Sequence, residues 1–369
     1  MKKVLKCISL AALAVFFVAT VAACGDNGAA GTGGDGTMRI AQLTHSPDTV
    51  LHDGSFNEGA WNAVDRFMNT HNLPADNFQF FIPHESSDIA HIDLMADAIS
   101  GGADILVLPG FMFEASSYAA QDMFPDTSFV LLDASPTSPV EGVGVRVSSN
   151  LVAIHYAEHE SGFLAGYAAV MEGYRGLGFM GGIAVPPVVR YGHGFVQGAE
   201  FAAQELGLAP GEVTIQFAYA GGFAPDPGVT TTVAAWFASG TEVVFAAAGG
   251  AGFSVFAAAE AAGGSTIGVD VDQFAASPTV ITSALKGIEV SVYDMLTDFL
   301  NDNFVGGREI VFDASMNGVG LAMENSRFQN FTQAQYNAIF ARLASGEISV
   351  SDSIDPNMAA LNLSLVTIQ

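Results

Sequence analysis

Nothing constrains the fold of this chain more than its rhythm. Short, almost continuous apolar runs at 38–44, 77–83, 103–110, 128–134, 143–148, 176–183, 213–220, 242–249 and 265–271 alternate with stretches of helical periodicity. Those stretches lie around 57–70, 89–100, 113–123, 154–172, 190–206, 228–239, 252–262 and 286–302. A strand that is apolar on both faces must be covered on both. The rhythm therefore predicts an α/β protein with doubly wound parallel sheets and right-handed connections. Ligands in such folds sit beyond the carboxyl ends of the strands. At 369 residues the chain is long enough for two such units. The polar segment "SSNLVAIHYAEHE" at 148–160 interrupts the rhythm, and fresh βα units follow it. The expectation is two lobes with a small-molecule cleft between them.

The first residues are read apart from the fold. "MKKVLK" is a positive start, "CISLAALAVFFVAT" an apolar run, and "VAAC" a small-residue site ending in Cys24. This order fits a lipoprotein signal peptide over 1–23, cleaved before a lipidated Cys24 that anchors the chain to a membrane. The Gly-rich residues of 24–37 then read as a flexible tether. With Cys7 in the leader and Cys24 as anchor, no thiol remains for redox, protease or zinc chemistry.

Charge narrows the partners. The formal net charge is −26, and without Lys2, Lys3 and Lys6 the remaining 9 basic residues face 38 acidic ones. Nucleic acid needs a basic footprint and is excluded, and neutral ligands are favoured over phosphorylated ones. Beyond the leader the chain holds a single lysine, Lys286, against eight arginines. A compact ammonium kept alone in this way is a candidate functional group.

The polar candidates fall after strands. Behind the first come Thr44, His45, Asp48, Asp53, Ser55, Phe56 and Asn57; behind the third come Gly110, Phe111 and Met112. Phe223 and Asp226 follow the seventh, and Asp270, Asp272, Gln273 and then Lys286 follow the ninth. No serine sits in a G-x-S-x-G elbow, and "GGIAVPP" and "AGGAGFS" lack the spacing of a P-loop. His155 and His159, four apart, could share a helix face, but "HYAEHE" is not a zinc signature and no metal site is expected. Asp270 and Asp272 would share one strand face and serve better as hydroxyl acceptors than as an acid–base pair. Phe56 and Phe223 lie in Gly/Pro/Asp-rich turns, one in each expected lobe. Two rings across a cleft would sandwich a planar heterocycle, at about 1–3 kcal/mol per stacked ring. The residues point to binding, without a cofactor, of a neutral, planar, hydroxyl-bearing ligand.

At these residues the chain resembles the basic membrane protein family of substrate-binding lipoproteins, the purine nucleoside receptors of ABC transporters. "DGSFNEGAW", "EHESGFLAGYAAV", "GFMGGIAVPPVVRYGHGFVQG", "YAGGFAPDPG" and "IGVDVDQ" followed by "VITSALK" match its motifs in order. The resemblance implies a type I periplasmic-binding-protein fold, two lobes joined by three crossovers. The lobes would comprise 38–150 plus about 272–318, and 151–271 plus about 319–369. It implies a purine nucleoside (adenosine, guanosine or inosine) stacked between Phe56 and Phe223, with Asn57 at the base and Asp270 and Lys286 on the ribose. It also implies delivery to ABC permease subunits. Family members that bind riboflavin make that the alternative ligand; a nucleoside-cleaving enzyme or a surface sensor lipoprotein is the alternative class. Where the family carries T-D and glycines, this chain reads "THSPDTVLHDG", which leaves His45, Asp48 or Asp53 to take the acid's part. Lys286→Ala is expected to weaken binding with little loss of folding.

Overall fold

A computed structural model describes residues 38–49, 51–355 and 358–369. The expected leader, tether and lipid attachment at Cys24 lie outside the described residues. The strands run β1 Ile40–Leu43, β2 Phe78–Phe81, β3 Ile105–Pro109, β4 Ser128–Leu132, β5 Leu151–Tyr156, β6 Gly176–Gly181 and β7 Val213–Tyr219. After them come β8 Val243–Ala247, β9 Ser265–Asp270, β10 Val280–Lys286, β11 Arg308–Phe312, β12 Val319–Leu321 and β13 Val366–Ile368. The helices are α1 Phe56–His71, α2 Asp88–Ser100, α3 Glu114–Met123, α4 Glu158–Glu172, α5 Pro186–Leu206, α6 Pro227–Ala238, α7 Gly252–Ala262, α8 Ile288–Leu300 and α9 Gln333–Ala344. Among the described residues no helix is long and apolar enough to cross a membrane.

The strands form two sheets, ordered β11-β5-β4-β3-β1-β2 and β12-β10-β9-β8-β6-β7-β13. Every pairing is parallel except β10 with β12. Alternate residues of each strand enter different cores, as the two-residue period of a strand requires. Ile40 and Ile105 face one side of the first sheet, Ala41 and Leu106 the other. Phe179 and Phe245 divide from Met180 and Val244 in the same way in the second. The chain passes between sheets after β5, between β10 and α8, whose Ile288 and Val292 pack with α1, and between β11 and β12. These are the three crossovers expected.

Two boundaries differ from the sequence expectation. Leu151–Tyr156, assigned above to the second lobe, is a strand of the first sheet between β4 and β11. Val280–Lys286, assigned to the first lobe, lies in the second sheet beside β9. The expected strand at 143–148 is instead a loop, exposed over 143–145 and half-buried over 146–148, with the bridge Thr137–Val145 as its ladder contact. Both segments are rich in β-branched residues, and long-range pairing with β4 decides between them.

The contact between α4 and α5 has a particular chemistry. Gly162 and Gly166 on α4 face the backbones of Tyr191 and Phe195, while Gly194 and Gly198 on α5 face those of His159 and Phe163. Four hydrogens in place of four side chains let the two backbones touch. That contact fixes the N-terminal ends of both helices, where Glu158, Arg190 and Tyr191 lie.

Candidate ligand site between the lobes

The carboxyl ends of the two sheets meet around Lys286, the last residue of β10. Its Nζ lies 2.6 Å from Asp133 Oδ2, 3.3 Å from Glu158 Oε1 and 3.9 Å from Asp270 Oδ1. The rings of Phe56, Tyr156 and Tyr191 stand 5.1, 5.3 and 5.4 Å from it, within range of cation–π attraction. The Lys286 side chain is 2% exposed. Asp133 follows β4 of the first lobe, whereas Glu158, Asp270 and Lys286 come from the second, so the ammonium ties the lobes together. Ser55 Oγ donates to Asp270 Oδ2 at 3.0 Å and Gln273 Nε2 donates to the Gly54 carbonyl at 2.9 Å, adding two further bridges.

Asp133 and Asp270 both hold a left-handed backbone, φ 59° and 66°. An aspartate tolerates that region better than most residues, and the turn it makes aims each strand-end carboxylate at Lys286. Burial alone would favour a neutral amine, but Asp133, Glu158 and Asp270 outweigh it and hold the Lys286 ammonium above its ordinary pKa. Glu158 is fully buried, yet Lys286 and then Arg190, whose Nε donates to it at 2.6 Å, keep its carboxyl below the ordinary value. Burial pushes Asp270 up, and pushes Asp133 up to about 7 against the pull of Lys286. The charge count explains the pattern. Two cations face three carboxylates, so near neutral pH one carboxyl shares the deficit by retaining a proton.

That proton gives a testable sign. Asp133 ionises in the unfolded chain near pH 4 but only near pH 7 when folded. Its contribution to stability is therefore present below pH 4 and is lost as pH rises toward 7. Asp133→Asn, which mimics the protonated carboxyl, should gain on the wild type by on the order of 1–3 kcal/mol between pH 5 and pH 8. Chemical denaturation of both proteins at the two pH values measures this. A constant difference between them would contradict the assignment.

The remaining predicted residues divide by role. Phe56 opens α1 and is half-buried beside Lys286. Asp53 accepts the N–H groups of Ser55, Asn57 and Glu58 and, at 2.7 Å, the Asn57 side-chain amide, so its carboxylate caps α1. Asp226 caps α6 through the Gly228 N–H and is exposed. Asp48 is exposed, its N–H on Ser46 Oγ. Gly110 turns with φ 111°, Phe111 packs against the first lobe's core, and Met112 is 37% exposed. Phe223 lies over Gly182 and Gly249 at the ends of β6 and β8. His155 and His159 do not share a helix face: the first belongs to β5 and the second to α4. His155 Nε2 meets Ser135 Oγ at 2.8 Å. Among the described residues, the buried polar atoms without a hydrogen-bond partner include His45 Nδ1, Asn57 Oδ1, Asp133 Oδ1 and Glu158 Oε1. Buried polar groups are ordinarily paired, so unpartnered ones stand out.

Asp133, Glu158, Arg190, Tyr156 and Tyr191 escaped the sequence reading. The one available signal was "LLDA", a strand ending on Asp as "GVD" does.

The sequence profile of the Bmp family, described as ABC transporter substrate-binding protein PnrA-like, matches residues 42–353. The ABC transporter nucleoside-binding protein BmpA of Lactococcus lactis is 28% identical over 346 residues, 88% of this chain and 93% of that protein. Basic membrane protein B of Borreliella burgdorferi is 28% identical over 297 residues, 78% and 82% of the two chains. Among solved structures, an ABC transporter solute-binding protein from Aeropyrum pernix superposes with a TM-score of 0.72 at 21% identity, covering 89% of this chain and 99% of the other.

Proposed function

We propose, from the premise that the chain belongs to the Bmp family of PnrA-like ABC transporter substrate-binding proteins, that it captures a purine nucleoside between its lobes. It then delivers the nucleoside to ABC permease subunits, while a lipid on Cys24 holds it at the outer face of the cell membrane. One observation carries the ligand assignment. An aromatic face, Phe56, stands beside a buried ammonium and carboxylate cluster that includes an unpartnered carboxyl oxygen, Asp133 Oδ1. A heterocycle stacks on the first, and sugar hydroxyls pair with the second. Phe223, from the other lobe, closes the stack. Asn57 and His45 address the edge of the base, while Asp270, Asp133 and Lys286 hold the ribose. The nucleoside-binding name of the Lactococcus lactis relative supports the same ligand class. Capture without conversion suits a site whose carboxylates are committed to cations and to lobe bridges.

Adenosine, guanosine or inosine should stabilise the purified protein, by about 2.7 kcal/mol at a hundredfold excess over Kd. Thermal melts with each nucleoside and with riboflavin test this. Stabilisation by riboflavin alone would replace the nucleoside. Release of free base from inosine would replace binding with catalysis. No stabilisation by any of them would favour a sensor role.

A further inference from the structure

We infer that Arg190 is a positioning residue that keeps Lys286 bonded across the cleft: by occupying Glu158 it leaves the ammonium to Asp133, and so holds the two lobes together. This deepens the binding reading above, on which only its ligand readout rests. Lys286 stands between competing carboxylates. Asp133 Oδ2, at 2.6 Å, belongs to the first lobe; Glu158 Oε1, at 3.3 Å, belongs to the second, as Lys286 itself does. A bond to the first spans the cleft, and a bond to the second does not. Asp270, also of the second lobe, lies farther off at 3.9 Å and already accepts from Ser55 and Tyr191. Glu158 Oε1 is different. It is buried and no described residue hydrogen-bonds it, so an acceptor stands open close to the ammonium.

The other end of the same carboxylate keeps that oxygen from claiming Lys286. Arg190 Nε donates to Glu158 Oε2 at 2.6 Å, with the Glu158 side chain 0% and that of Arg190 19% exposed. A guanidinium keeps its proton throughout the pH range of folded proteins, so this counter-charge is permanent. Glu158 also opens α4, where the helix N-terminus favours a negative charge. Its charge is thus met inside its own lobe. The close packing of α4 on α5 brings the pair together: a Cβ at Gly194, four residues after Arg190, would lie 2.0 Å from the carbonyl oxygen of His159. His155 and His159 also lie near Glu158, but burial lowers the pKa of both, so neither replaces the guanidinium near neutral pH. Without Arg190, this buried carboxylate must draw on Lys286, because an unpaired charge is costly there. The ammonium then pairs within the second lobe, and the cleft loses its ion pair while keeping the Ser55–Asp270 and Gln273–Gly54 hydrogen bonds.

Small-angle X-ray scattering of the ligand-free protein at pH 8 tests this without reference to any ligand. Wild type should scatter as a molecule with its lobes tied, and Arg190→Lys, which keeps a cation on Glu158, should match it. Arg190→Gln should show a larger radius of gyration. Adding Glu158→Gln to Arg190→Gln removes the competitor and should restore the wild-type curve, a rescue that a merely structural arginine does not allow. Release of inosine, followed by stopped flow, should be at least about tenfold faster from Arg190→Gln than from wild type, and close to wild type in the double variant. Unchanged scattering or unchanged release in a folded Arg190→Gln protein overturns the inference, as does a double variant that stays open or a wild type that is open. If Arg190→Gln does not fold, a folded and closed double variant supports the inference, and a double variant that also fails to fold overturns it. A wild type that binds no inosine defeats the nucleoside reading, while the scattering still decides on Arg190.

Discussion

Lys286→Ala is expected to cost about 3–5 kcal/mol of folding stability at pH 8 and to abolish measurable ligand binding. Removing one partner of a buried ion pair is costly because the other charge is left without compensation, and here three carboxylates converge on one ammonium. Arg190 still serves Glu158, but no cation replaces Lys286 beside Asp133. The remaining acids must take up protons to stay buried. The loss should therefore shrink as pH falls, and the mutant's deficit at pH 5.5 should be the smaller of the two. Lys286→Met keeps the aliphatic stem and separates lost packing from lost charge. Urea denaturation at both pH values supplies the comparison, and a variant within 1 kcal/mol of wild type at pH 8 would refute the account. These contacts replace the sequence expectation of little loss of folding with the larger expected cost. An ammonium that bridges the lobes from inside a carboxylate cluster is a structural part of the site as well as a ligand contact.

What could be read in advance, and what could not, follows from the range of the interactions involved. Phe56, Asp270 and Lys286, which the fold brings together, stand out in the sequence because strand ends and an isolated lysine are local signals. Glu158 carried no such signal, because its partner Arg190 lies 32 residues away on another helix. Asp133 looked like any strand terminus until the fold brought Lys286 to it across 153 residues. Asp53 and Asp226 were misleading for the opposite reason. An acid before a helix caps it whether or not a ligand lies nearby, and both carboxylates are occupied in that way. The lobes themselves were legible in the βα rhythm, but β5 and β10 were misassigned because sheet membership depends on pairing rather than composition. The last strand illustrates the same limit. β13 is held by Glu200, whose carboxylate accepts the N–H groups of Ser364, Leu365 and Val366. Nothing local to either segment announces that bond.

The second large effect is expected from packing rather than charge. Gly166→Ala or Gly198→Ala should each cost more than about 4 kcal/mol, in the range of the most damaging single substitutions. A Cβ at Gly166 would lie 1.9 Å from the Phe195 carbonyl oxygen, and one at Gly198 would lie 1.9 Å from that of Phe163. These obstacles are backbone atoms inside regular helices, so no rotamer change relieves them and α4 must move away from α5. Ordinary overpacking costs about 1–3 kcal/mol because side chains can yield; here they cannot. Gly222→Ala, whose Cβ would meet nothing within 4 Å, is the control. The same contact positions the ligand site, because Gly162 faces the carbonyl of Tyr191, and Tyr191 Oη donates to Asp270 at 3.3 Å. Gly162→Ala, with its Cβ 2.2 Å from that carbonyl, should therefore weaken ligand binding even under conditions where the variant remains folded. Melting temperatures of the four variants, with nucleoside titrations of those that fold, decide the matter. Wild-type stability in Gly166→Ala and Gly198→Ala would mean that the helices do not meet backbone to backbone. In that case Glu158 and Arg190 would owe their placement to something other than this contact.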